Sequence, residues 1–241
     1  MAAETPADHT VSPVEERDDL AFGLEASRDV AGEIKPKLRG WLHASAVPLS
    51  LIGGILLIVY ATSTLGRVGG AVYLAASLLL FGTSATYHRF GWGKTGAAIL
   101  RRMDHSNIYL FIAATYTPLA LLLLTGTSRI LLLVCIWASA ILGVLFRILW
   151  LGAPRWLYTA LYIGMGWAAV AWLPQLWSSG GGLVIGLIGL GGLIYTGGAV
   201  VYALKRPNPS PTWFGFHEIF HTCTVLAAGC HYAAIALITF R

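Results

Sequence analysis

Residues 42–62 read LHASAVPLSLIGGILLIVYAT, an apolar run that contains a proline and two adjacent glycines but no charged side chain. At about 1.5 Å per residue, a helix of this length crosses the ~30 Å hydrocarbon core of a bilayer. Comparable runs follow near 69–87, 107–124, 130–149, 156–173, 183–204 and 216–240. The fifth is short and is followed by Pro174, and the sixth is rich in glycine. The 241-residue chain is 56% hydrophobic and only 11% charged, with a mean hydropathy of +0.70. Soluble domains carry about 25% charged residues, so the composition excludes an ordinary soluble domain. The sequence predicts an all-α integral membrane protein, a seven transmembrane helix bundle over 41–241. A polar tail at 1–40, mixed in charge and containing Pro6, Pro13 and Pro36, is expected to be cytoplasmic and largely disordered. No cleaved signal peptide is expected in it.

The distribution of cations gives the orientation. With the N-terminus cytoplasmic and seven crossings, the sixteen Lys and Arg residues fall on the inner side apart from Arg67, Arg129 and Arg241. That is a strong positive-inside bias, and it places the C-terminus outside. A net charge of +5 is therefore a matter of topology, and no nucleic-acid partner is expected. Cys135, Cys223 and Cys230 lie in apolar runs without a C-x-x-C pair, so they read as small buried residues. The tryptophans gather near span ends as an interfacial belt.

Acids are scarcer still. Of eleven carboxylates, only Asp104 and Glu218 lie beyond Glu33. An acid kept within membrane segments otherwise free of acids points to function. Three polar clusters surround these two residues. Ser84-Ala85-Thr86-Tyr87-His88 ends the second span, Met103-Asp104-His105-Ser106-Asn107 opens the third, and His217-Glu218-Ile219-Phe220-His221 opens the seventh. An even number of crossings separates them, so all three converge at the cytoplasmic end.

His217 and His221 stand at i and i+4, which puts both imidazoles on one helix face. With His88 they make three neutral nitrogen ligands, the set of a zinc site with an open fourth position. The bland alternative is that each histidine caps a helix end, and that Asp104 is a first-turn acid favoured by the helix dipole. His43 reads as an interfacial residue, His105 as a neighbour of the site, and His231 as hydrogen-bonded to a neighbouring helix. The literal H-E-x-x-H raises a metalloprotease reading, with Glu218 as general base. Residues 222–241 contain no acid, however, and His231 is ten residues beyond His221, about 280° further round the helix. A third ligand therefore comes from upstream.

The three polar segments, extended to Phe90 and Tyr109, and the run Thr115-Tyr116-Thr117-Pro118 resemble the hemolysin III family. This is the bacterial branch of the progestin and adipoQ receptor group, which includes the adiponectin receptors. The resemblance covers roughly residues 35–241. It implies a seven-helix bundle with the N-terminus inside, and Zn²⁺ held by His88, His217 and His221. It also implies that Asp104 and Ser84 lie close to the zinc-bound water. Animal relatives carry glutamine where this chain has Glu218, so the family pattern needs no acid there. The adiponectin receptors resemble ceramidases, and the bacterial branch is named for haemolysis.

The resulting expectation is a multi-pass cell-membrane hydrolase that cleaves the amide bond of a membrane lipid with zinc-activated water. Asp104 moves the proton and Ser84 orients from behind. Three alternatives stand beside it: a channel-forming cytolysin, a receptor-like protein with structural zinc, and an intramembrane metalloprotease. No row of charges lines the span centres, which disfavours a polar pore.

Overall fold

Hydrocarbon offers no partner for a free amide, so each apolar run must satisfy its backbone within itself, as a helix. A computed structural model describes residues 36–150 and 152–241, and the regular structure there is helical. Helices α1 (Trp41–Val59), α2 (Thr64–Arg89), α3 (Lys94–Leu123) and α4 (Gly126–Leu149) come first. Helix α5 (Arg155–Gly166), a 3₁₀ segment (Ala168–Trp172), α6 (Leu173–Leu204) and α7 (Phe216–Thr239) complete the chain. Among the described residues, six segments are long and apolar enough to cross a membrane, and one of these is the whole of Arg155–Leu204. The tail expectation for residues 1–35 lies outside the described residues. Residues 37–40 form a turn, and the Lys37 and Leu38 amides donate to the Thr212 and Trp213 carbonyls at 3.0 and 3.3 Å.

Helix α3 is the axis of the bundle. The most apolar window of α3 is 72% buried, against 22–44% for the other segments. Neighbours pack in sequence from α1 to α4, and α7 lies against α6, α3 and α1. The Tyr232 hydroxyl donates to Gly53 O at 3.2 Å, linking α7 to α1, and Tyr73 donates to Ala228 O at 3.1 Å, linking α2 to α7. Small residues allow these approaches. A Cβ at Gly69 would meet the Pro118 Cα of α3 at 2.9 Å. The outer surface is apolar: Ile52, Ile55, Leu56 and Val59 form one exposed stripe at helical spacing on α1. Cys135 is also exposed, on α4, contrary to the expectation that it is buried.

Arg155–Leu204 doubles back on itself. Arg155 Nη1 approaches Tyr202 O (3.4 Å), while Trp167 Nε1 donates to Thr196 Oγ1 (3.0 Å). The start of α5 therefore lies beside the end of α6. The break after α5 is satisfied by one side chain of α3: Tyr116 donates to Gly166 O at 2.6 Å and accepts from Ala169 N at 2.9 Å. Within α6, Gly181 takes φ +79° and ψ 169°, a conformation that in practice only glycine adopts without strain.

One difference from the sequence reading concerns the site directly. The third span is expected from residue 107, yet α3 begins at Lys94. Asp104 therefore lies nearly three turns inside the helix at about 3.6 residues per turn. The helix dipole acts within the first turn, so a dipole-stabilised first-turn acid no longer explains it.

Candidate metal centre

Helices α2 and α7 supply the imidazoles. His88 lies in the last turn of α2, and His217 and His221 lie on successive turns at the start of α7. The Nε2 atoms of His88 and His217 face each other at 3.3 Å. One ring nitrogen from each of the three histidines falls within 4.8 Å of the other two. Two nitrogens about 2.0–2.1 Å from a shared tetrahedral zinc lie about 3.3–3.4 Å apart, so the His88–His217 separation fits. His221 is buried, and its Nδ1 has no hydrogen-bond partner among the described residues. A trio of imidazoles close enough to hold one metal ion accounts for this arrangement better than three helix caps do.

Asp104 closes the cluster from α3, with Oδ2 3.7 Å from His88 Nε2. Ser84, one turn before His88 on α2, is buried, has no hydrogen-bond partner for its hydroxyl among the described residues, and lines the same cavity as Asp104. The register of α3 against α2 is held by Asn107, whose Nδ2 donates to Leu79 O and Thr83 Oγ1, both at 3.0 Å. All five residues singled out from sequence therefore meet at one end of the bundle.

His43 was not foreseen as part of the site. It is buried, and its ring stacks on that of His221 with 3.8 Å between centroids and 11° between planes. Its position near the start of the first span gave no signal, because the partner is almost the whole chain away. His105 is engaged elsewhere: Nδ1–H donates to Arg101 O (2.7 Å), and Nε2 faces the Tyr202 hydroxyl (3.4 Å). His231 donates through Nε2 to Ile188 O on α6 at 3.2 Å, as the sequence suggested.

Glu218 points away from the cluster's chemistry. Its side chain is fully buried, with Oε1 paired to Arg39 Nε at 2.9 Å and Oε2 accepting from Gly215 N at 2.8 Å. The carboxylate thus caps α7, covers the positive helix end and neutralises a half-buried guanidinium. With both oxygens committed, the metalloprotease reading of H-E-x-x-H loses its general base.

A cavity runs from this cluster into the bundle. His43, Ser84, Asp104, His105, His217 and His221 line its polar end. Beyond them the wall is Ile108, Phe111, Ile112, Thr115 and Tyr116 of α3, faced by Trp167 and Tyr195. From Asp104 to Tyr116 the helix rises about 18 Å, comparable to half of a ~30 Å hydrocarbon core.

The fold and the site together define a polytopic helical membrane protein with a largely buried three-histidine cluster at one end of a mostly apolar cavity. Residues 32–232 match the family described as Haemolysin-III related, and the chain belongs to that family. It is 34% identical to the Hemolysin-3 homolog of Bacillus subtilis (strain 168), over 72% of this chain and 83% of the relative. It is 32% identical to Hemolysin-3 of Bacillus cereus, over 68% and 76%. At 24% identity, over 83% of both chains, it is similar to the human Monocyte to macrophage differentiation factor.

The Glu218 geometry makes a clear prediction. Glu218→Gln retains the hydrogen bond to Gly215 but leaves Arg39 without its counter-charge, costing about 1–3 kcal/mol of stability. Metal content, measured beside a thermal melt in detergent, stays at the wild-type level. Loss of metal without loss of stability would show that Glu218 serves the cluster after all.

Proposed function

We propose that this protein is a seven-crossing membrane metalloenzyme that hydrolyses the amide bond of a membrane lipid, with its N-terminus and metal centre on the cytoplasmic side. The observation that carries the reading is the cavity: a polar, metal-binding mouth continuous with an apolar channel as long as one leaflet's acyl chains. Seven crossings follow if Arg155–Leu204 crosses twice, since a straight 50-residue helix would be about 75 Å long. The cation distribution supports the orientation. After removal of the native cysteines, one placed at Asn208 should react with impermeant maleimide only from the cytoplasmic side, and one at Thr125 only from outside. Labelling of both from the same side contradicts seven crossings.

His88, His217 and His221 would hold the zinc. A zinc ion so held supplies Lewis acidity toward a carbonyl oxygen and brings the pKa of water toward about 7. The remaining work falls to the chain. Asp104, near His88 and open to the cavity, accepts a proton from the attacking water at Oδ2 and delivers it to the leaving amine nitrogen. Ser84 holds that carboxyl in place from α2. Ile108, Phe111 and Ile112 bind the acyl chain, exclude water behind the carbonyl and set the amide at the mouth. His43 fixes the His221 ring by stacking on it.

Asp104→Asn separates catalysis from structure. With Asp104 as the proton carrier, hydrolysis of an N-acyl sphingoid base in detergent falls by about 10²–10⁴-fold, while metal content stays unchanged. Full activity in this variant removes Asp104 from the mechanism. Loss of metal and fold together favours the structural-zinc reading. Lysis of lipid vesicles by wild type, with no amide cleavage, favours the cytolytic reading suggested by the names of the Bacillus relatives.

A further inference from the structure

We propose that Arg147 forms the base of a phosphate-binding site, distinct from the metal centre, at the junction of α3, α4 and α5. Arg147 lies in the last turn of α4 and is 2% exposed. Its Nε and Nη1 are buried and have no hydrogen-bond partner among the described residues. Its guanidinium lies over the Tyr158 ring at 4.6 Å. Stacking on an aromatic face satisfies the plane of the cation but none of its N–H groups.

A buried cation without a counter-ion is among the costliest arrangements in a protein, and in a membrane it is retained where an anion completes it. The described residues offer it no anion. Of the two acids beyond Glu33, Glu218 is committed to Arg39 and Gly215, and Asp104 to His88. The partner therefore comes from outside the described residues.

The surroundings specify its chemistry. Arg155 lies over the Tyr202 ring at 4.8 Å, and His105 packs between Tyr158 (ring centroids 5.9 Å) and the Tyr202 hydroxyl (3.4 Å). Arg147 and Arg155 thus meet at one aromatic corner. Guanidinium forks suit phosphate oxygens, which accept two parallel N–H bonds. The corner also lies at the same end of the bundle as the cavity mouth, since His105 belongs to both. A lipid phosphate bound here would hold an anionic phospholipid beside the entrance without entering the metal site. Inorganic phosphate offers the same chemistry.

The test begins with delipidated wild-type protein in neutral detergent, followed by thermal melting and native mass spectrometry. Phosphatidylglycerol should bind in a saturable manner, raise the melting temperature and outcompete phosphatidylcholine by at least tenfold. Arg147→Met should weaken phosphatidylglycerol binding tenfold or more with zinc content unchanged, and Arg147→Lys should recover part of it. Arg67→Gln, at an exposed position on the other end of α2, should bind like wild type. Protection by millimolar inorganic phosphate alone, lost in Arg147→Met, would keep the site but make its ligand the free ion. If wild type shows no preference for phosphatidylglycerol and no response to phosphate, the proposal is overturned, whether or not Arg147→Met folds. Equal binding by wild type and a folded Arg147→Met overturns it too.

Discussion

Two imidazole nitrogens facing each other at 3.3 Å inside an apolar bundle constrain nearly everything around them. They come from the end of α2 and the start of α7, so the first half of the chain and its last helix must meet at that point. Helix α3, the buried axis, packs against both and brings Asp104 to within 3.7 Å of His88. The Asn107 side chain and the close contact of Gly69 with Pro118 hold α3 in register against α2. A one-turn slip of α3 would move Asp104 by about 5.4 Å and take the carboxyl out of the site.

The scarcity of charge is the second constraint. An ionised group within the bundle needs a specific partner, because hydrocarbon does not solvate a bare charge. Glu218 pairs with Arg39 across almost the whole chain, fastening the segment before α1 onto the start of α7. Asp104 faces the histidines. Arg147 lacks an acidic partner within the described residues, and the proposed phosphate site follows from the same logic. Backbone breaks obey it as well: Tyr116 satisfies both sides of the break after α5 with a single hydroxyl.

Much of this was legible in the sequence. Apolar runs gave the helices, because length and hydropathy alone decide what crosses a bilayer. The i, i+4 spacing of His217 and His221 gave their common face, and the near-absence of acids drew attention to Asp104. What was not legible depends on long-range contacts. Nothing near His43 in the chain announces a stacking partner at His221. The H-E-x-x-H pattern suggested a catalytic glutamate, whereas Glu218 turns toward Arg39, a partner that no local pattern identifies. The start of α3 was set too late because its first turns, around Arg101 and Arg102, are polar and hydropathy does not register them. The path of Arg155–Leu204 depends on Gly181 and a 3₁₀ turn, which apolar content does not reveal.

The central claim is that His88, His217 and His221 form a metal site. The measurement that tests it most directly is the metal content of freshly purified protein in detergent, compared with a His217→Ala/His221→Ala double variant. The account predicts about one zinc per chain in the wild type and none in the variant, with both still folded. Folded wild-type protein that carries no metal and takes up none from added Zn²⁺ would contradict it.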